Sequence, residues 1–217
     1  MTPNKEDYLK ALYKLGGAEE LVGNKEIAVH LNVAPASVSE MLGKLSREEL
    51  IEYVPYKGSR LTNKGLQIAL ALVRGHRLWE VFLIRHLGYS WSEAHEDAEL
   101  LEHITPPRLA RRLDRFLNYP ASCPHGYAIP DADGNIDLRP MRRLSEIAPG
   151  DSGRIGMVEE EPELLDYLEN LGLKIGSTFT VKSIGAYEGP FTLNLDGKEI
   201  QVSYKAACQI HVEADSK

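Results

Sequence analysis

The sequence has little cysteine and no long apolar run, and both shortages exclude whole classes of protein. Two cysteines in 217 residues are too few for a disulfide-stapled secreted scaffold. No stretch of about 18 apolar residues occurs, so no membrane-spanning helix is expected. The first residues, MTPNKED, lack the apolar segment of a signal peptide. We therefore expect a cytoplasmic protein that has no membrane partner.

The sequence also lacks a phosphate-binding loop, a dinucleotide-binding glycine fingerprint and a nucleophile elbow, so no small-molecule substrate is indicated. Its formal net charge of −7 at first argues against a nucleic-acid partner. The excess lies in residues 119–217, which carry nine basic and sixteen acidic residues, whereas residues 1–64 carry nine of each. Because local charge decides such encounters, the neutral first third remains compatible with DNA.

Hydrophobic periodicity predicts short helices and a hairpin in residues 1–64. After a first helix at Tyr8–Leu15, a second runs over Lys25–Leu31 with Asn24 as its cap, and a third from Pro35 to about Glu49. A strand pair with a glycine-containing turn follows. Helices in this order followed by a hairpin are typical of a winged helix-turn-helix DNA-binding domain.

The rest of the chain divides into a helical and a β-rich part. Residues 65–140 are predicted to form a helical domain that ends in a proline-rich linker. Residues 144–217 alternate short strands with glycine-containing turns around one helix. The predicted fold is mainly α with small β parts, in which the C-terminal domain is a small β-barrel.

The start of the third helix predicts a DNA-reading element. Small and polar side chains at this end let a helix approach base edges, and free backbone N–H groups bind phosphate. A plain three-helix core with a surface hairpin is the alternative. The predicted DNA-binding residues are Pro35, Ala36, Ser37, Ser39, Glu40, Lys44, Lys57, Ser59 and Arg60.

Histidines and carboxylates recur at helical spacing in the middle segment. His95, Glu99, Glu102 and His103 fall on one stripe of a helix predicted from Ser92 to about Ile104. His76 and Glu80 are four residues apart on the preceding helix, and Cys123 and His125 form a C-x-H pair. Such side chains on facing helices can bind a divalent ion. The alternatives are a solvated surface stripe and a merely buried Cys123.

Four stretches give the chain a family resemblance: NKEDYL at 4–9, GHRLWE at 75–80, EDAELLEH at 96–103, and residues 165–176. With the predicted order of domains, they resemble the diphtheria-toxin-repressor family of metalloregulators. The chain is most similar to the manganese-responsive, streptococcal-type branch, which has a C-terminal FeoA (SH3-like) domain.

The resemblance implies two groups of metal ligands. The primary group is Asp7, His76, Glu99, Glu102 and His103. The ancillary group is Glu80, Cys123, His125 and Glu160, with His95 as a possible member. A primary group without sulfur suits Mn²⁺, and Fe²⁺ or another divalent ion is possible. Much of the manganese branch has Glu where this chain has Lys10, which moves the expected second ion toward the ancillary group.

The resemblance implies a manganese-dependent transcriptional repressor, not an enzyme. It would bind double-stranded operator DNA as a homodimer when divalent metal is bound, and would control metal-ion uptake genes. Two other functions remain open. A metal-independent, ligand-sensing winged-helix regulator would need an apolar pocket between the helices. A binuclear metallohydrolase would need an open coordination position and a general base.

Overall fold

The computed structural model describes residues 1–137 and 139–214. Leu138 of the predicted segment 65–140, and the last three residues of segment 144–217, lie outside the described residues. The chain forms two compact units, and each includes part of the middle segment. Unit 1 comprises Met1–His76, Leu100–Arg112 and Pro130–Asn135, and unit 2 comprises Arg77–Glu99, Leu113–Ile129 and Ile136–Lys217.

Unit 1 contains the predicted winged helix-turn-helix. Its elements are α1 (Pro3–Lys14), α2 (Asn24–His30), α3 (Pro35–Arg47), β1 (Ile51–Val54) and β2 (Gly58–Leu61). Pro3 and Pro35 stand at the first helical positions, where a missing N–H leaves no hydrogen bond unmade. Most of the leucines and isoleucines that recur at helical spacing are fully buried together in one core: Leu9, Leu12, Ile27, Leu42 and Leu45. That core fixes α1 against α3.

The predicted cap of α2 is wrong by one residue. Gly23 is the cap, and Asn24 is the first helical residue. The Glu26 carboxylate accepts a 3.4 Å hydrogen bond from the Gly23 N–H. The Asn24 side chain donates instead to Ser39 Oγ at 3.2 Å and so links α2 to α3.

The wing has a third backbone partner that the sequence did not indicate. β1 and β2 pair antiparallel, and Val22 pairs with Ser59 through two N–H···O bonds of 2.8 and 2.9 Å. A Cβ on Gly58 would lie 2.3 Å from the Val22 oxygen, so glycine permits this close approach. Ser59 is fully buried as a result. The prediction that Ser59 contacts DNA is therefore wrong.

Three helices follow the wing. They are α4 (Asn63–Phe82), α5 (Trp91–Leu101) and α6 (Pro107–Phe116). A π-helical turn, Leu83–Leu87, extends α4 and ends at Gly88, whose φ of +75° suits glycine. α5 tightens into a 3₁₀ turn at Glu102–Ile104. The predicted helix from Ser92 to Ile104 thus begins one residue earlier and is not α-helical in its last three residues.

Unit 2 contains a six-stranded antiparallel sheet in the order β3-β8-β4-β5-β6-β7. The sequence indicated neither β3, β8 nor α8. The predicted fold class, mainly α with a small C-terminal β domain, is confirmed. Within described residues 1–137 and 139–214, no helix has the length and apolarity to span a membrane. The elements are β3 (Arg142–Arg143), β4 (Ser152–Val158), α7 (Pro162–Leu171), β5 (Thr178–Ile184), β6 (Phe191–Leu195), β7 (Lys198–Val202), α8 (Tyr204–Ala207) and β8 (Ile210–Ala214).

Candidate metal centre

Three predicted ligands of the primary group lie together in unit 1. Asp7, Glu102 and His103 each offer one ligand atom, and these atoms lie within 4.8 Å of one another. His103 Nε2 is 3.0 Å from Asp7 Oδ1 and 3.8 Å from Glu102 Oε1. We call these three residues the primary cluster. It joins the first helix of the winged helix-turn-helix to the turn that follows α5.

The predicted four-residue stripe on α5 is divided between the two units. The α-helical part of this segment ends at Leu101, and the following residues, Glu102–Ile104, form a 3₁₀ turn. Glu102 and His103 belong to unit 1, whereas His95 and Glu99 belong to unit 2. There, Glu99 Oε1 lies 3.7 Å from His95 Nε2, and the Glu99 side chain is 40% exposed.

Glu6 supports His103, although the sequence analysis did not name it. Its Oε2 lies 2.7 Å from His103 Nδ1, which leaves Nε2 to face Asp7. A carboxylate that accepts a hydrogen bond from the second ring nitrogen of a metal-binding histidine fixes the orientation of the ring. It also makes the first nitrogen a stronger metal ligand. The only sequence signal is that Glu6 adjoins Asp7 in the first turns of α1.

The other oxygen of Glu102 faces a buried positive charge. Lys10 Nζ lies 2.6 Å from Glu102 Oε2 and 3.4 Å from His76 Nδ1. His76 Nδ1 is itself 2.9 Å from the same oxygen, and all three side chains are buried. The predicted ligand His76 therefore lies beside Lys10, on the Oε2 side of Glu102.

The primary cluster fits a divalent cation. Glu102 Oε1 is buried and has no hydrogen-bond partner among residues 1–137 and 139–214. A buried polar atom of this kind costs free energy unless something compensates it. Carboxylate oxygens with one imidazole nitrogen form the donor set that harder divalent ions such as Mn²⁺ prefer.

The predicted ancillary ligands lie together in unit 2. Glu80, Cys123, His125 and Glu160 offer ligand atoms within 4.8 Å of one another, and we call them the ancillary cluster. Glu80 Oε1 is 3.0 Å from His125 Nδ1 and 3.1 Å from His95 Nδ1. Glu80 and His125 are fully buried. One carboxylate, one thiol, one imidazole and a second carboxylate also fit a divalent ion.

A hydrogen-bonded turn positions Cys123 and His125. The Gly126 N–H donates to the Cys123 oxygen at 3.0 Å, and the Val158 N–H donates to the His125 oxygen at 3.0 Å. The Tyr127 hydroxyl donates to Glu159 Oε2 at 2.9 Å. This turn is thereby fixed to β4 and to the segment that carries Glu160.

Burial controls the protonation of the ancillary cluster. It raises the pKa of the Cys123 thiol well above its usual value, and the negative charges of Glu80 and Glu160 raise it further. Burial likewise raises the pKa of Tyr127. A hydrogen bond from His211 lowers the pKa of Glu159. A cation that binds Cys123 as thiolate must therefore displace its proton.

Replacing Gly126 with alanine is expected to destabilise unit 2 by about 2–5 kcal/mol. Gly126 has a φ of +94°, and an added Cβ would lie 2.1 Å from the Gly156 oxygen. The turn must therefore move away from β4, which also displaces Cys123 and His125. Thermal unfolding and metal titration measure the two effects. Gly172→Ala is the control, because Gly172 has a φ of +74° and no atom within 4 Å of the added Cβ.

Most of the predicted DNA-contacting residues are exposed or half-buried on α3 and on the wing. The cap of α3 is Ala34, which offers no side-chain hydrogen bond to the first-turn N–H groups. Glu40 pairs with Lys44 at 2.7 Å, and Arg60 pairs with Glu52 at 2.7 Å. The residues concerned are exposed or half-buried: Pro35, Ala36, Ser37, Ser39, Glu40, Lys44, Lys57 and Arg60.

Three family models match consecutive parts of the chain. The iron dependent repressor N-terminal DNA binding domain matches residues 1–59. The iron dependent repressor metal binding and dimerisation domain matches residues 62–131, and the FeoA domain matches residues 142–214. These matches assign DNA binding to the first part of the chain, and metal binding with dimerisation to the second.

Solved structures and curated proteins agree with these matches. A manganese-dependent transcriptional repressor in complex with manganese is 33% identical with a TM-score of 0.87, covering 97% of this chain and 99% of that one. ScaR with bound Zn²⁺ is 42% identical with a TM-score of 0.79, covering 97% and 99%. The iron-dependent repressor IdeR of Mycobacterium leprae (strain TN) is 27% identical over 222 residues, 96% of each chain.

The predicted family and the predicted regulatory role are therefore confirmed by relatives that align over nearly the whole chain. The relatives are transcriptional repressors, so the prediction that the chain is not an enzyme is confirmed as well. The chain belongs to the iron-dependent repressor family of metal-dependent transcriptional regulators, which is the diphtheria-toxin-repressor family.

Proposed function

We propose that this chain is a manganese-responsive repressor that binds operator DNA as a homodimer and controls metal-ion uptake genes in the cytoplasm. The primary cluster is the observation that supports this function best. Asp7 on α1 lies 3.0 Å from His103, and the buried Glu102 lies beside it. The DNA-binding segment and the metal-binding segment thus contribute ligands to one cluster.

The two clusters would hold two ions per chain. Asp7, Glu102 and His103 would hold one, and Glu80, Cys123, His125 and Glu160 would hold the other. A bound divalent cation supplies positive charge that offsets the grouped carboxylates. The similarity to a manganese-dependent transcriptional repressor that binds manganese supports Mn²⁺ as the effector. The relative named as iron-dependent makes Fe²⁺ the alternative effector.

Asp7 connects the primary cluster to DNA reading through the core of unit 1. Leu9 and Leu12 of α1 are fully buried in the same core as Leu42 and Leu45 of α3. Fixing Asp7 against Glu102 and His103 therefore fixes the orientation of α3. If metal and operator DNA favour the same conformation, the binding of each increases the affinity for the other. Operator DNA is therefore expected to tighten metal binding as well.

Replacing Lys57 with alanine is expected to weaken operator binding without changing metal affinity. Lys57 is exposed at the turn of the wing and lies outside both clusters. Loss of one phosphate contact lowers the slope of log Kd against log salt by about 1 and affects all DNA sequences similarly. Fluorescence anisotropy at several salt concentrations measures the slope. An unchanged slope would remove Lys57 from the interface.

Replacing Phe116 with aspartate is expected to weaken the homodimer by about 2 kcal/mol or more, roughly 30-fold in dissociation constant. Phe116 is 62% exposed, and its ring lies 5.9 Å from that of Phe82 and 5.0 Å from that of His86. This partly exposed group of aromatic side chains is suited to contact a second copy of the chain in a dimer interface. Sedimentation equilibrium measures the effect. Tyr187→Asp on the fully exposed hairpin turn is the control.

The proposed function is tested by operator titration with Mn²⁺, with Fe²⁺ under anaerobic conditions, and with chelator. Tight binding only in the presence of metal supports the proposal, and the stronger of the two ions is the effector. Equal affinity with metal and chelator would indicate the metal-independent regulator instead. Fragments of genomic DNA captured by the metal-loaded protein identify the operators, which are expected upstream of metal-ion transporters.

A further inference from the structure

Three arginines lie exposed on α6. Arg108, Arg111 and Arg112 are spaced three and four residues apart, so their side chains lie on one face of the helix. All three belong to unit 1, which also contains α3 and the wing. We call these three residues the arginine stripe. Arg115, on the part of α6 that belongs to unit 2, is exposed as well.

The arginine stripe has no counter-charge within the part of the chain that the structure describes. Among residues 1–137 and 139–214, no ion pair or hydrogen bond joins these three side chains to another residue. Other basic side chains face carboxylates: Lys5 with Glu48, Lys44 with Glu40, Arg60 with Glu52, Arg139 with Glu213, Arg142 with Glu146 and Lys205 with Glu161. In a chain whose net charge is −7, three neighbouring arginines without a carboxylate indicate an anion from outside the chain.

This arrangement also disfavours the helix that carries it. Like charges three or four residues apart repel one another on a helix surface. Arg108 lies in the first turn of α6, where the free N–H groups already carry partial positive charge and where this helix has no acidic residue. Local choices that oppose the fold are typical of functional sites. An anion bound at this face would offset both conflicts.

DNA phosphate is the anion that fits the arginine stripe best. A guanidinium binds phosphate through two parallel N–H···O bonds, and each strand of DNA carries one phosphate per about 3.4 Å of its axis. α6 begins four residues after His103, and Pro106 and Pro107 restrict the backbone between them. A short, stiff segment therefore joins a predicted metal ligand to the arginine stripe, which suits a DNA contact that depends on metal.

We propose that the arginine stripe binds the phosphate backbone of DNA outside the base pairs that α3 contacts. This inference rests on the proposed function as a metal-dependent repressor and adds a second DNA contact to it. The stripe contributes affinity without sequence preference, because phosphates are the same at every base pair. DNA that extends beyond the half-sites therefore binds more tightly than DNA trimmed to them.

The experiment compares two lengths of one operator duplex. One fragment is trimmed to the half-sites, and the other has one further helical turn, about 10 base pairs, at each end. The test variant combines Arg108→Gln, Arg111→Gln and Arg112→Gln. On the extended fragment, its slope of log Kd against log salt is expected to fall by about 2–3 per chain, since each lost phosphate contact removes about 0.9. On the trimmed fragment the native slope is expected.

Two control variants separate phosphate binding from a change in net charge. The first removes three charges from exposed positions of unit 2 and is expected to match the native chain on both fragments; it combines Lys174→Gln, Lys182→Gln and Lys198→Gln. The second replaces the three arginines of the stripe with lysine. It is expected to keep the native slope, because lysine also neutralises phosphate.

Without DNA, the glutamine variant of the stripe is expected to unfold at a higher temperature, since the repulsion within α6 is removed. A native slope on the extended fragment, an equal loss on both fragments, or a lower unfolding temperature would each overturn the inference. A changed oligomeric state would also overturn it, because the stripe would then contact protein. If the native chain binds neither fragment in a metal-dependent way, the proposed function itself fails.

Discussion

Replacing Asp7 with asparagine is expected to abolish most of the metal response of operator binding and to leave the chain folded. Asparagine keeps the shape of the side chain but removes the negative charge that a divalent ion requires. Asp7 is 40% exposed, so the substitution places no polar side chain in a fully buried position. Loss of a residue that only hydrogen-bonds to a metal ligand typically lowers metal affinity about 10–100-fold. Loss of a ligand itself is therefore expected to lower it about 100-fold or more.

The measurement is a Mn²⁺ titration of operator binding at fixed DNA concentration. The Asp7→Asn curve is expected to move to at least about 100-fold higher Mn²⁺, while the affinity in chelator stays as in the native chain. Glu20→Gln is the matched control, since Glu20 is an exposed carboxylate of unit 1 outside both clusters. A native Mn²⁺ midpoint in Asp7→Asn would mean that the primary cluster does not control DNA binding.

Replacing Cys123 with serine is expected to remove the ancillary ion and much of the pH dependence of metal binding. A serine hydroxyl does not deprotonate in a buried site, so one of four donors is lost. Burial raises the pKa of the Cys123 thiol, so a bound cation must release its proton and native affinity rises with pH. The slope of log metal affinity against pH equals the number of protons released on binding, and it is expected to fall by about one in Cys123→Ser.

Co²⁺ binding gives a direct readout of the sulfur donor. The native chain is expected to show a near-ultraviolet sulfur-to-cobalt charge-transfer band that Cys123→Ser lacks. Thiolate-preferring ions such as Zn²⁺ and Cd²⁺ are expected to lose more affinity than Mn²⁺. Cys208→Ser is the control, because Cys208 is half-buried and lies outside both clusters. Retention of the band in Cys123→Ser would exclude Cys123 from the ligand set.

The sequence predicted the order of elements because their signals are local. Apolar residues at helical spacing, prolines at first helical positions and glycines at turns each act within a few residues. The predicted ligands could be grouped only through the family resemblance. Cys123 and Glu160 are far apart in sequence, and no periodicity indicates that they meet.

Contacts between distant segments were not predictable from local pattern. Glu6 contacts His103 across 97 residues, and Lys10 contacts Glu102 across 92. Ser59 is a small polar residue in the predicted hairpin, as expected of a DNA-contacting position. Its backbone pairing with Val22 nevertheless buries it. The division of the 95–103 stripe between two compact units depends on tertiary contacts that residue type does not encode.

The pairing of Val22 with Ser59 has a consequence for engineering. Because the base of the hairpin is held on both sides, only the turn between Val54 and Gly58 is free to vary in length. Longer or more basic loops grafted between these two residues would extend the contact of the wing with DNA. They would leave the packing of α1, α2 and α3 unchanged. The same protein could thus serve as a scaffold for repressors with redesigned operators and an unchanged metal threshold.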